Sequence, residues 1–307
     1  MTQPAMLHTV WTALGGDVDE CTQVTLTTAG ALSSAYPVTD LAIEPLQVDR
    51  RLASIWFGTS LRPVGWQMPN VWDPVAGDYK ARDGWIRLHT NAPHHRLAAE
   101  RILGPHADKT GMAQAVSQWR KEELEAAIVE AGGCAAQMLS TEAWARHPQG
   151  RAVADEPLVH LARRVQAQAP VPPVDLARPL AGIKVLDLTR VLAGPIATRC
   201  LAAYGAEVLR IDSPDWNEPG IVPEVTLGKR LVRLNLRDQA ALATVKSLLA
   251  SADVIVHGYR ADALEHLGLG TAVRQQINPR LIDVSLNAYG WTGPWRNRRG
   301  FDSLVQM

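Results

Sequence analysis

Three kinds of residue in this sequence could do chemistry, and their spacing limits what that chemistry is. The first is a basic residue in a short loop. Arg190 opens the stretch Arg190-Val191-Leu192-Ala193-Gly194-Pro195, between an apolar run and a helix pattern. Unpaired N–H groups and the positive end of a helix dipole make such a loop a ready anion site. A βαβ unit with no ligand fits the pattern equally well, and spacing alone leaves both open. The second kind is histidine. His89, His94 and His95 lie close together, but no carboxylate or cysteine is spaced to complete a metal site. A strand histidine followed by a pair at a helix start accounts for them. The third kind is aspartate: Asp302 near the end of the sequence, and Asp40 in a turn, where an aspartate is usually a cap.

The elements that must position these groups are clearest from Leu180 to Asp212. Ile183 to Leu188 reads as a strand, Pro195 suits a first helical position, Gly205 stops that helix, and Ala206 to Ile211 reads as a second buried strand. The alternation continues with strands at Leu231 to Leu236, Asp253 to His257 and Leu281 to Leu286. Helices at Gln239 to Ala250, Asp262 to Leu267 and Ala272 to Ile277 separate them. This implies an α/β fold with a doubly wound, mostly parallel sheet. A nicotinamide dehydrogenase would need G-x-G-x-x-G after the first strand. The loop has one glycine, so that reading is set aside.

Before it, Asp83-Gly84 precedes a strand at Trp85 to His89, and Pro93 introduces a helix closed by Gly104. Lys121 to Ala131 is a further helix, with Leu124, Ile128 and Ala131 on one face and Gly132-Gly133 at its end. Cys134 to Leu139 reads as a strand, Thr141 to His147 as a helix, and His147 to Gly150 as a turn. Segments at Ala5 to Leu14, Val24 to Thr28, Gly30 to Asp40 and Asp49 to Trp56 have no firm type. Pro170, Pro172, Pro173 and Pro179 make residues 169–179 a stiff linker. The expected domains are a smaller α/β lobe over 1–168, irregular up to about residue 80, and a second lobe over 180–307.

Composition excludes several classes of function. Lys plus Arg equals Asp plus Glu at 31 each, so no global charge recruits nucleic acid or an anionic membrane. No apolar run reaches membrane-spanning length, and the start lacks a basic region followed by an apolar one. Cys21, Cys134 and Cys200 are odd in number and form no CxxC pair, which fits a reduced, cytoplasmic chain without structural zinc.

The stretches LAGIKVLDLTRVLAGP, GAEVLRID, ADVIVHGYRADALEHLGL, INPRLIDVSLNAYGWTGPW and RRGFDSLVQ together resemble the family III coenzyme A transferases of the CaiB/BaiF type. That group includes formyl-CoA and carnitine CoA-transferases and the related α-methylacyl-CoA racemases. The likeness runs through 179–307, and WDPVAGDYKARDGWIRLHTNAPHHR with HPQGRAVADEPLV resembles the smaller lobe of longer bacterial members. It implies a Rossmann-like second lobe, incomplete at its C-terminus. It also implies that Arg190, Leu192, Ala193 and Gly194, with Gly258 and Tyr259, hold CoA, and that Arg299 lies near the thioester. Lys229-Arg230 and the cluster Arg296, Arg298 and Arg299 are expected to supply positive charge for its phosphates. Ser213 and His266 stand where better-known members carry phosphate-binding arginines.

The reaction implied is transfer of CoA between an acyl-CoA and a carboxylic acid. A carboxylate of the enzyme attacks the thioester carbonyl, forming a mixed anhydride and releasing CoA thiolate. The thiolate then returns to give an aspartyl-CoA thioester. By the likeness, that aspartate falls beyond Met307, with Asp302 only a site-lining neighbour. CoA and acyl-CoA are substrates, no separate cofactor or metal is implied, and the full-length form is expected to be a homodimer. A racemase-like isomerase and an inactive CoA-binding fragment are the alternatives.

Overall fold

The computed structural model describes Arg51, residues 60–162 and residues 177–307. The expected segments before residue 57, Arg51 apart, lie outside the described residues, as do Cys21, Asp40 and the linker up to residue 176. Two compact units divide the chain, Met1–Gln67 and Met68–Met307, and two sheets lie in the second.

The first sheet is antiparallel, with β1 (Gly77–Ala81), β2 (Gly84–Leu88) and β3 (Ala135–Gln137) in that order. Strand β1 has no counterpart among the expected elements. Its alternation, Tyr79 and Ala81 buried with Asp78 and Lys80 exposed, is only five residues long. Its pairing with β2, from Gly77 opposite Leu88 to Ala81 opposite Gly84, is what fixes it. Helices α1 (Pro93–Leu103), α2 (Lys109–Val116) and α3 (Lys121–Glu130) follow β2. They pack Leu103, Met112, Val116, Leu124 and Ile128 against Ile86 and Leu88. Helix α2 was likewise not expected; Asp108 caps it by accepting from Gly111 N at 3.0 Å.

The expected turn over His147 to Gly150 is instead the start of a helix. His147 ends α4 (Thr141–Arg146) and caps α5 (Pro148–Ala154), its Nδ1 accepting from Gln149 N at 3.1 Å. Pro148 takes the first helical position, where its missing N–H leaves no bond unmade.

The second sheet is all parallel, in the order β6-β5-β4-β7-β8. Its strands are β4 (Lys184–Leu188), β5 (Glu207–Asp212), β6 (Lys229–Arg233), β7 (Val254–His257) and β8 (Ile282–Ser285). Helix α6 (Ala193–Ala203) links β4 to β5, and Gly205 ends it at φ 102°, a left-handed conformation that suits glycine. Pro195 is the third helical residue rather than the first. Short α7 (Val222–Val225) precedes β6, which begins two residues earlier than expected. Helix α8 (Gln239–Ser251) then leads to β7, and α9 (Ala263–His266) with α10 (Thr271–Ile277) to β8. Leu186, Leu188, Ile211, Val245, Leu249, Ile255 and Leu269 form its core, each contributing about 1.5–3 kcal/mol by leaving water. The last helix, α11 (Asp302–Val305), returns to the first sheet, where Leu304 packs on Cys134 and Ala136. Among the described residues no helix is long and apolar enough to cross a membrane.

Candidate active site

Strand order places the site. From β4 the chain winds outward through β5 and β6, then crosses back to β7 on the other side of β4. Loops leaving the C-terminal ends of β4 and β7 therefore part in opposite directions and leave a crevice, the ordinary ligand position in such sheets. Arg190 to Pro195 is the loop after β4, and Gly258-Tyr259 follows β7.

Arg190 joins the two. Its guanidinium lies over the Trp216 ring, 4.4 Å from the centroid, and 5.9 Å from that of Tyr259. Burial raises the Tyr259 hydroxyl above its ordinary pKa, while the charge and hydrogen bond of Arg190 oppose that rise. Leu192 precedes α6 and is exposed, and Ala193 and Gly194 are the first two helical residues. Their N–H groups have no partner within the helix, as an anion site needs. Gly194 is required sterically, because a Cβ there would collide with the Thr189 side chain. Gly258 is exposed, and a Cβ there would meet only the Leu286 side chain, at an ordinary 4.0 Å.

Beneath the loop lies a buried polar layer. Lys229 Nζ donates to Asp187 Oδ2 at 2.8 Å, to Pro195 O at 2.7 Å and to Thr198 Oγ1 at 2.7 Å. Both side chains of the Lys229–Asp187 pair are fully buried. Burial lowers the Lys229 pKa, and Asp187 resists the fall. This pair ties β4, β6 and the first turn of α6 together.

Several expected roles change. Lys229 cannot serve a ligand phosphate, because its three donors are committed inside. Arg230 pairs with Glu207 at 3.3 Å, at the N-terminal end of β5 and so away from the crevice. Arg298 donates to Glu125 Oε1 and Ala135 O, both at 2.6 Å, and stacks on Trp295 at 4.0 Å, so it is a tie between segments. Arg299 is exposed and donates to Gly132 O at 2.7 Å. Asp302 is exposed at the first position of α11 and accepts from Gln306 Nε2 at 2.9 Å. His266 is exposed and lies 3.7 Å from Asp262.

The smaller lobe also reaches this place. The His94 ring is 6.4 Å from that of Trp216. Burial first, then the charges of Arg299 and Arg190, lower its pKa. Arg190 and Arg299, distant in sequence, thus act on one histidine. His89 stacks on Phe301 at 3.9 Å, and burial pushes it down to about 4 and His95 to about 3, so both are neutral at pH 7. Among the described residues no group of His, Cys, Asp and Glu is arranged to hold a metal. Trp216 and Glu218 escaped the reading from sequence, which gives His94 only as one of a pair at a helix start. Trp216 stands in an irregular segment, and only the sheet order shows that this segment flanks the loop after β4.

The fold is that of an α/β protein with a crevice at the switch point of a parallel sheet, flanked by Arg190, Trp216 and Tyr259. The sequence model of CoA-transferase family III matches residues 180–307. An acyl-CoA transferase of Gibberella moniliformis is 32% identical over 240 residues, covering 72% of this chain and 42% of that protein. A succinyl-CoA:glutarate CoA-transferase of Mus musculus is 37% identical over 144 residues, 43% of this chain and 33% of that one. The crystal structure of a CaiB/BaiF family protein from Brucella suis is 33% identical over 42% of this chain and 38% of its own, with a TM-score of 0.39. Leu180 to Met307 is a segment of CoA-transferase family III. The chain spans less than half the length of these relatives.

Proposed function

We propose that this chain holds CoA in the crevice between β4 and β7 and serves a CoA-transferase that exchanges CoA between an acyl-CoA and a carboxylic acid. The observation that carries this is the meeting of Arg190 and Tyr259 across the switch point, next to the unpaired N–H groups of Ala193 and Gly194. Phosphates take the guanidinium and the helix start, and the adenine takes aromatic or apolar surface. Arg299 provides positive charge for the carboxylate or the thioester oxygen, and His94, whose charged form burial and the two arginines disfavour, offers a neutral imidazole beside it. The named activities of the relatives favour transfer over racemisation. In this reading an aspartate attacks the thioester and then carries CoA as an aspartyl-CoA thioester, as the likeness implies. Asp302, exposed on α11, lines the site rather than attacking.

Calorimetry with CoA and with NAD tests the reading. CoA is expected to bind more tightly, and Arg190→Ala and Tyr259→Ala are each expected to weaken it about tenfold, the loss of one charge-assisted or aromatic contact. Tighter binding of NAD, or unchanged CoA affinity in Arg190→Ala, would overturn it.

A further inference from the structure

Val191, between Arg190 and the start of α6, has φ 64°, and among the described residues it is the one non-glycine residue with positive φ. A β-branched side chain disfavours that conformation strongly, so surrounding contacts must hold it. One contact is specific. Val191 N donates to Glu218 Oε1 at 2.9 Å, and the other oxygen of Glu218 accepts from Arg210 Nη2 at 3.1 Å. Arg210 is fully buried on β5, and its Nε donates to both oxygens of Asp212, at 3.1 and 3.0 Å. The chain of contacts runs from a strand of the sheet, through a nearly buried carboxylate, to the backbone of the loop. Two residues before Glu218, Trp216 lies under the Arg190 guanidinium. One short segment therefore grips the side chain of Arg190 and the amide of the next residue.

We propose that Glu218 is a positioning residue for the ligand loop: oriented by Arg210, it holds Val191 left-handed and so presents Arg190 and the N–H groups of Ala193 and Gly194 to the anion. Its carboxylate occupies the Val191 amide, which leaves the ligand the later donors, and Arg210 balances its charge beside the anion site. This rests on the reading of the loop as a CoA site. Without Glu218, valine has a reason to leave the left-handed region. Glycine in its place would not, since it adopts positive φ at no steric cost.

The test is a double-mutant cycle of Glu218→Ala and Val191→Gly, read by hydrogen exchange over residues 190–195 and by CoA calorimetry. Glu218→Ala is expected to speed exchange of the loop about tenfold while the β4 and β5 segments keep native rates. It is expected to raise the CoA Kd about tenfold, but less than threefold in the Val191→Gly background. An equal loss in both backgrounds, or unchanged loop exchange, would overturn the proposal. If Glu218→Ala does not fold, Glu218→Asp, too short to span Arg210 and Val191 together, is read in the same cycle, and an equal loss in both backgrounds again overturns it. Should the unaltered chain fail to bind CoA, the functional reading falls, and the exchange measurement alone decides whether Glu218 holds the loop.

Discussion

Within the compact unit Met68–Met307, the antiparallel sheet and the parallel sheet are held by different materials. Under β1 to β3 the interior is Val75, Ile86, Leu88, Met112, Leu124 and Ile128, all essentially unexposed and all apolar. Glu125 is buried there too, but Arg298 and Gln137 reach it. Under the loop end of the parallel sheet the interior is ionic: Asp187 with Lys229, and Arg210 with Asp212 and Glu218. Burying ions costs more free energy than burying hydrocarbon, and a paired interior is often no more stable than an apolar one of the same shape. The parallel sheet accepts that cost where a loop must be held in one conformation. The antiparallel sheet has no such loop and packs as hydrocarbon.

The largest expected effect breaks the ionic layer. Lys229→Met leaves the Asp187 carboxylate buried with only hydroxyl and amide donors, and such losses run to about 3–5 kcal/mol. Ile128→Val, one methylene from the apolar interior, costs about 1 kcal/mol. Urea denaturation of both variants measures the contrast. If Lys229→Met costs no more than Ile128→Val, the ionic layer is not what holds that half together.

The same contrast explains what the sequence reveals. Strands buried on both faces, such as Lys184–Leu188 and Val254–His257, stand out as apolar runs between helices, so the doubly wound sheet and the loop containing Arg190 can be read directly. Pairing can likewise be read for α3, whose Leu124 and Ile128 share a face. Buried ions cannot. Lys229 sits beside Arg230, and nothing local separates the lysine that turns inward from the arginine that stays in solvent; only the strand register does so. Strand β1 and helix α2 are short and owe their form to pairing and to a cap. The convergence of His94 with Arg190 and Arg299 depends on how one lobe packs on the other, which no local pattern encodes.

Acid sharpens the comparison next, because the apolar half buries His89 and His95. His89 and His95 have native pKa values of about 4 and about 3, below the ordinary 6.5, both chiefly through burial. Between those values and 6.5 the unfolded chain binds more protons than the native one. Stability is therefore full above pH 6.5 and falls as pH drops, by about 2 kcal/mol per histidine at pH 5. Both ring nitrogens of His95 lack a partner, so an apolar replacement breaks no hydrogen bond. His95→Leu is expected to fold at pH 7 and to lose roughly half of the acid sensitivity. Denaturation curves at pH 7 and pH 5 decide this; an unchanged slope would place the acid sensitivity elsewhere.

The smallest effect should be the same in both halves, and that sameness is informative. Asp108 caps α2, accepting from Gly111 N at 3.0 Å, and Asp238 caps α8, accepting from Ala240 N at 3.0 Å. Both aspartates are exposed, and both satisfy an N–H group that the helix leaves unpaired. Their energy comes from one local bond and the helix dipole, neither of which depends on whether hydrocarbon or ions lie beneath. Asp108→Ala and Asp238→Ala should each cost about 1 kcal/mol. If the two agree within about 0.5 kcal/mol, the halves differ only in their interiors. A much larger loss in Asp238→Ala would mean instead that the parallel sheet propagates local damage into its ionic layer, and then the cost of Lys229→Met could not be assigned to the ion pair alone.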